Sequence, residues 1–199
     1  MRQSSELILA SASPRRSDLL RQVGLRFRVV PSNVDEDSVQ FLDPQTMVRE
    51  LALMKAKAVA EAFPDALVLG ADTTVVLNGM VVGKPTSASD ARAILSNHSG
   101  KEHIVYSGFA LVHLQSGRTV SDVASTRVKF GLMSSSEIDT YVDSGSPMDK
   151  AGAYGYQDAL GPLFVESISG DYYNVIGLPL RALYLALRAH FPDIVRFGA

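Results

Sequence analysis

Apolar runs typical of β-strands alternate with amphipathic stretches along the first third of the chain. Short apolar runs at residues 7–10 and 27–30 predict strands, and the spacing of apolar positions at residues 14–23 and 44–63 predicts helices. A chain in which strands and helices alternate in this way has the pattern of an α/β protein.

The middle of the chain adds hairpins to this pattern. Residues 67–77 are almost continuously apolar or β-branched, which is typical of a strand covered on both faces. The dipeptide Asn78-Gly79 follows and is a strong signal for a two-residue turn into a strand at 80–82. Residues 104–114 and 119–130 predict a second, longer antiparallel hairpin. The sequence therefore predicts a mixed sheet flanked by helices.

Three further helices follow from capping and periodicity. Ser89 is predicted to cap a helix that runs to about residue 97, and the S-x-x-E pattern at Ser134 predicts a capping box for a helix to about residue 142. Residues 179–190 predict the last helix. Because no repeat or long linker interrupts the chain, we expect one domain over residues 1–199, built as two lobes with a central cleft.

Composition narrows the class of protein. The 199 residues contain no cysteine, which excludes disulfides, thiol nucleophiles and cysteine-bound metals. A net charge of −2 gives no general attraction to nucleic acid or acidic membranes, and no apolar run has the length of a signal peptide or membrane span. We therefore expect a cytoplasmic protein that binds neither nucleic acid nor membrane, in which anions are held by local Lys and Arg clusters.

The first predicted helix carries such a cluster. In S-A-S-P-R-R, Ser13 takes the capping position, Pro14 begins the helix, and Arg15 and Arg16 lie in its first turn. The helix dipole is positive there, so two arginines are unfavourable unless an anion neutralises them. A phosphate site and two side chains that simply point into water are equally compatible with this short motif.

Two charged residues interrupt otherwise apolar patterns. Lys55 lies in the middle of the apolar face of the second helix, where it either reaches past its neighbours to water or meets an anion. Asp72 lies near the centre of the apolar strand at 67–77, where a carboxylate requires a cationic partner or a metal. A buried ion pair is the structural alternative to a functional role for Asp72.

Weaker signals accompany these residues. The acidic loop 33–37 includes Glu36, which either provides a second oxygen ligand for a hard cation or belongs to a solvated turn. Lys84, between Gly83 and Pro85, fits a phosphate contact or an ordinary turn. Four scattered histidines lack the spacing of metal ligands and are predicted to be surface or capping residues: His98, His103, His113 and His190.

Six segments in order resemble the Maf family: S-A-S-P-R-R, V-D-E, A-L-M-K-A-K-A, G-A-D-T, G-K-P and D-K-A-G-A-Y-G-Y-Q. The resemblance extends from Leu7 to about Leu180. It implies an elongated fold similar to inosine triphosphate pyrophosphatases, with a nucleotide cleft between two lobes. It also implies a nucleoside triphosphate pyrophosphatase, a hydrolase acting on acid anhydrides.

The resemblance assigns roles to individual residues. By the family pattern, Asp72, Glu36 and Lys55 are catalytic, and Asp72 and Glu36 hold a divalent cation, with Mg²⁺ favoured over Mn²⁺ or Co²⁺. The expected substrate-binding residues are Ser13, Arg15, Arg16, Thr73, Lys84 and Gln157. Whether Asp72 is a base, a metal ligand or both is left open.

The resemblance also bears on the base of the nucleotide. The pyrimidine branch combines an arginine, a threonine and a glutamine that correspond here to Arg15, Thr73 and Gln157, which implies dTTP and UTP as substrates. The 7-methyl-GTP branch carries a tryptophan at the first of these positions, and this chain has no tryptophan. The alternatives are a 7-methyl-GTP or broad modified-nucleotide pyrophosphatase, or a non-catalytic regulator of cell division. The sequence does not fix the oligomeric state, and a homodimer is one option.

Overall fold

The computed structural model describes residues 6–36 and 43–195, and within these ranges the chain forms seven strands and seven α-helices. The strands are β1 (Leu7–Leu9), β2 (Arg28–Val29), β3 (Leu67–Leu77), β4 (Met80–Val82), β5 (Glu102–His113), β6 (Arg118–Phe130) and β7 (Val165–Ser169). The helices are α1 (Pro14–Gln22), α2 (Pro44–Ala60), α3 (Ala88–His98), α4 (Ser135–Asp143), α5 (Gly161–Phe164), α6 (Tyr172–Ile176) and α7 (Leu180–His190). None of these helices is long and apolar enough to cross a membrane.

The described strands form one mixed sheet in the order β2-β1-β3-β5-β6-β7, and β4 pairs with β3. The β1 strand is parallel to both β2 and β3, whereas the pairs β3–β4 and β6–β7 are antiparallel. The parallel part follows from the helical crossovers between these strands, and the antiparallel pair β3–β4 follows from the tight turn at Asn78 and Gly79, both of which have positive φ. The predicted mixed α/β architecture is confirmed.

The chain divides into two compact units. The first comprises Met1–Asp72, Ser107–Ala124 and Gly177–Ala199, and the second comprises Thr73–Tyr106 and Ser125–Ile176. Each has its own core. The first buries small and aliphatic residues of β1, α2, β3 and β5, whereas the second buries a more aromatic set that includes Phe130, Tyr141 and Tyr154.

In the first unit, α2 packs against β3 through a backbone contact at Gly70. A Cβ atom at this position would lie 2.1 Å from the carbonyl oxygen of Ala52, so only glycine permits the approach. Asp72 is two residues further along β3 and shares the face of Gly70, while Lys55 is three residues beyond Ala52 on the helix. The close contact thereby brings Lys55 to Asp72.

Two helix ends differ from their predicted positions. The predicted cap at Ser89 is wrong: Ser87 caps α3, and its Oγ accepts a hydrogen bond of 3.1 Å from the Asp90 N–H. The side chain of Asp90 also accepts hydrogen bonds from the N–H and the hydroxyl of Thr86, the residue before the cap. The α2 helix ends at Ala60 rather than near residue 63, because Pro64 disfavours helical geometry just before it.

Three of the four histidines are not at the surface as predicted, whereas His190 is exposed. His98, His103 and His113 are buried. The rings of His98 and His103 lie 4.5 Å apart among Phe130 and Tyr154, and the Tyr154 hydroxyl is 2.8 Å from His103 Nε2. Burial lowers the pKa of His98 to about 4 and that of His103 to about 3, so both rings are neutral near pH 7.

Candidate functional site

The first helix begins as predicted, with Ser13 at the N-cap and Pro14 in the first turn, although the Ser13 side chain makes no capping bond. Arg16 turns back across this end of the helix. One of its terminal nitrogens donates to Ser11 Oγ, and its Nε donates to the carbonyl of Gly177, each at 3.0 Å. Both arginines are half-buried. Arg16 therefore does not simply extend into water, which was one of the two readings of the motif.

Lys55 lies between two carboxylates. Its Nζ is 2.7 Å from Asp72 Oδ1 and 2.8 Å from Glu36 Oε1. The Lys55 and Asp72 side chains are buried, whereas that of Glu36 is 52% exposed. Lys55 thus does not reach past its neighbours to water. The ion pair that was the structural alternative for Asp72 is present, and it joins three of the residues to which the sequence assigned a role.

Arg16 belongs to the same cluster of charges. Burial lowers the pKa of its guanidinium, the negative charge of Asp72 raises it, and the neighbouring positive charge of Arg15 lowers it again. Glu36 contributes a smaller upward shift of this pKa. The cluster therefore combines Arg15, Arg16, Lys55, Glu36 and Asp72, all within the first unit.

The other predicted substrate-binding residues belong to the second unit. Thr73 directly follows Asp72 in β3 and is half-buried, and Lys84 and Gln157 are both exposed. Their participation in the site stays a prediction. Asp37, in the predicted acidic loop, lies outside the described residues.

Few acidic side chains of the described residues lie close enough together to bind a metal ion. Within residues 6–36 and 43–195, no three His, Asp or Glu side chains are arranged to hold a metal ion. The predicted pair of Glu36 and Asp72 is nevertheless a fitting donor set, because Mg²⁺ is usually bound by one or two carboxylates together with water and phosphate oxygens. Lys55 contacts one oxygen of each carboxylate, and each has a second oxygen.

Two groups that hold Arg16 were not among the predicted site residues. Ser11 lies in the S-A-S-P-R-R segment, so its hydroxyl was within reach of sequence reasoning. Gly177 had no such signal, because it lies 161 residues from Arg16 and contributes only its backbone carbonyl.

The fold and this cluster define an α/β protein with a mixed sheet and a charged site at the start of its first helix. The family model described as "Maf-like protein" matches residues 6–190. Because this match covers most of the chain, the protein belongs to the Maf family.

Individual relatives cover almost the whole chain. A dTTP/UTP pyrophosphatase of Salinibacter ruber is 50% identical over 192 residues, which are 96% of this chain and 94% of the relative. A dTTP/UTP pyrophosphatase of Moorella thermoacetica is 50% identical over 176 residues, covering 88% and 90% of the two chains. Among solved structures, a HAM1 protein from Coxiella burnetii matches 63% of this chain and 73% of its own, with 14% identity and a TM-score of 0.43.

Proposed function

We propose that this protein hydrolyses dTTP and UTP to the nucleoside monophosphate and pyrophosphate with the help of a divalent metal ion. The observation that carries the proposal is the identity of about half the residues to proteins named dTTP/UTP pyrophosphatases, over 96% of the chain in the first case. The cluster around Lys55 supplies charges of the kind that the reaction requires.

The charges of the cluster suit a polyphosphate. Three cations and two carboxylates leave the first-unit cluster with a net charge of +1. A nucleoside triphosphate carries about four negative charges, so binding requires further positive charge from a metal ion and from residues such as Lys84. Arg15 and Arg16 provide guanidinium groups at a helix N-terminus, where phosphate is favoured by the dipole as well.

The metal would be held by Glu36 and Asp72, with Mg²⁺ as the expected ion and Mn²⁺ or Co²⁺ as substitutes. When bound, such an ion neutralises phosphate charge and orients phosphate oxygens. Lys55 fixes the direction of both carboxylates, because its Nζ contacts one oxygen of each.

The reaction is one displacement at phosphorus. A water oxygen attacks the α-phosphorus, and the bond from this phosphorus to the bridging oxygen breaks, so that pyrophosphate leaves with the electron pair. We assign Asp72 as the group that accepts the proton of the attacking water and later returns it to solvent. Arg15, Arg16 and Lys55 stabilise the charge on the phosphoryl oxygens.

The base is selected by a small number of polar contacts in this proposal. A uracil or thymine ring presents carbonyl acceptors and an imide N–H, and the amide of Gln157 can act as donor and acceptor toward them at once. Cytosine alters this pattern at one edge. The cation of 7-methyl-GTP prefers an aromatic face, and Arg15 would repel it. We therefore rank dTTP and UTP above CTP, and far above 7-methyl-GTP.

We treat residues 1–199 as one enzymatic domain that works in the cytoplasm on free nucleotides. A homodimer is one of the assemblies that size measurements in solution would distinguish.

The test is the release of pyrophosphate from dTTP, UTP, CTP and 7-methyl-GTP at equal concentration with Mg²⁺, Mn²⁺ or Co²⁺. We expect dTTP and UTP to be cleaved about 10- to 100-fold more efficiently than CTP. A clear preference for 7-methyl-GTP would overturn the substrate assignment. Nucleotide binding without any pyrophosphate release would favour the non-catalytic regulator instead.

A further inference from the structure

A second polar network lies in the second unit, around the hydroxyl of Tyr141. The Tyr141 ring is buried on α4 and packs edge to face against Phe164, with 5.3 Å between ring centroids. Its hydroxyl accepts a hydrogen bond of 3.0 Å from the Gly155 N–H and donates one of 2.5 Å to Asp158 Oδ2. A single hydroxyl thus contacts both ends of the segment 155–158.

This segment is a four-residue turn. The Asp158 N–H donates to the Gly155 carbonyl at 3.1 Å, which is the bond that closes a β-turn. A Cβ atom on Gly161 would lie 1.9 Å from the same carbonyl oxygen, so Gly161 packs directly against it. The exposed Gln157 occupies the third position of the turn. The backbone of Gln157 is therefore held at both ends.

Lys150 packs against the two ends of the turn, Gly155 and Asp158. Its side chain is buried, and its Nζ is 3.4 Å from Asp158 Oδ2 and also donates to Asp149 and to the carbonyl of Ser146. A Cβ atom on Gly155 would lie 2.6 Å from Lys150 Cε and 2.8 Å from both Asp158 carboxylate oxygens. The lysine and the carboxylate therefore close tightly over the Gly155 backbone.

A buried network of this kind is costly to maintain. Burying Lys150 and Asp158 removes charges from water, and a well-packed apolar pair would often stabilise the fold as much or more. Burial, followed by the hydrogen bond to Asp158, raises the pKa of Tyr141, so its hydroxyl keeps its proton and remains a donor. A fully satisfied network fixes one local conformation. The network therefore fixes the backbone of the turn on which Gln157 lies.

We propose that Tyr141 and Asp158 are positioning residues for base selection: they hold the 155–158 turn so that the Gln157 amide meets the pyrimidine edge in one orientation. The inference rests on the proposed function, in which Gln157 reads the base. Neither positioning residue is required to contact the phosphates, so their loss should affect the choice of base much more than the rate of phosphoryl transfer.

The test compares Tyr141→Phe with the parent protein on dTTP and CTP. Phenylalanine keeps the ring on Phe164 and removes only the hydroxyl. We expect the dTTP-over-CTP ratio of kcat/KM to fall about three- to tenfold, which is the effect of one or two hydrogen bonds. The change should appear as a higher KM for dTTP, with kcat within about twofold of the parent. Tyr154→Phe is the matched control, because it removes another buried tyrosine hydroxyl of the same unit, one that pairs with His103.

A double-mutant cycle shows whether Tyr141 influences the dTTP-over-CTP ratio through Gln157. If Tyr141 acts through Gln157, the Tyr141→Phe change should lose its influence on the ratio in a Gln157→Ala background. If Tyr141→Phe folds poorly, Asp158→Asn disrupts the same network. It removes the negative charge that faces Lys150 and keeps the shape of the side chain. It should lower the ratio in the same direction.

The outcomes separate the inference from the proposed function. A parent-like ratio in both Tyr141→Phe and Asp158→Asn, or an effect of undiminished size in the Gln157→Ala background, would overturn the positioning role. A Gln157→Ala protein that releases pyrophosphate with the parental ranking of bases would remove Gln157 from base selection, and the positioning role with it. Absence of pyrophosphate release from the parent would instead reject the proposed function.

Discussion

Replacing Asp72 by asparagine tests the centre of the proposed mechanism. Asparagine keeps the shape of the side chain, and its carbonyl oxygen can still accept the hydrogen bond from Lys55 that spans 2.7 Å in the parent. The change removes the negative charge and the ability to accept a proton from water. A general base contributes about 10²- to 10⁴-fold to a rate, so kcat should fall by that factor or more.

The cost in stability should be much smaller than the cost in rate. Removing one partner of a buried ion pair typically destabilises a protein by about 3–5 kcal/mol, because the other charge is left uncompensated. After Asp72→Asn, Lys55 still has Glu36 at 2.8 Å and an amide oxygen as acceptor. We therefore expect a loss of about 1–3 kcal/mol. In a protein of this size, that corresponds to a fall in Tm of about 2–12 °C.

The assay combines pyrophosphate release from dTTP with thermal unfolding followed by circular dichroism. Asp18→Asn is the control, since Asp18 is an exposed residue of α1 paired with Arg21, and it should leave both measurements near the parental values. An Asp72→Asn protein that stays folded and turns over at more than about a third of the parental rate would show that Asp72 is structural.

Three further predictions follow from burial and packing. Lys55→Met removes the cation that lies 2.7 Å from the buried Asp72 carboxylate, so urea denaturation should show a loss of about 3–5 kcal/mol, and a smaller loss than for Asp72→Asn would contradict this. His98 and His103 are neutral in the fold because burial lowers their pKa values to about 4 and about 3, whereas unfolded histidine titrates near 6.5. The unfolded state therefore binds protons first as the pH falls below about 6.5, and the parent should lose stability relative to a His98→Leu/His103→Leu variant from there down to about pH 3; a constant difference between the two from pH 7 to pH 4 would refute it. Gly70→Ala places a Cβ atom 2.1 Å from a carbonyl oxygen of α2, so circular dichroism should show a large loss of stability or no cooperative unfolding, and a melting curve like that of the parent would be incompatible with the close packing.

Local signals predicted most of the fold. The β3 strand has the predicted limits because its apolar run is unbroken and the Asn78-Gly79 turn ends it sharply. The capping box at Ser134 is present because its two hydrogen bonds join residues three apart. The start of α3 was predicted two residues late, because Ser87 and Ser89 are both residues that can cap a helix and only the structure shows that Ser87 Oγ accepts the bond from the Asp90 N–H.

Individual residues of the site were also predictable from local signals, whereas the contacts between them were not. Lys55 and Asp72 were detectable because each interrupts an apolar pattern, so the sequence alone shows an energetic conflict. The ion pair between Lys55 and Asp72 was not predictable, because it depends on how closely α2 approaches β3 at Gly70. The contact from Arg16 to the Gly177 carbonyl and the burial of His98 depend on distant segments in the same manner.

The Lys55–Asp72 pair is more informative as part of a cluster than alone. An isolated buried pair is ambiguous, since apolar residues of similar volume could replace it without loss of stability. Here the pair is joined by Glu36, which is half exposed, and by Arg16, whose pKa is lowered by burial. A purely structural bridge has no need of a second, solvent-accessible carboxylate or of an additional, half-buried cation. The cluster therefore supports the proposal that a polyanion and a divalent metal ion bind here, because they would share these charges when they bind.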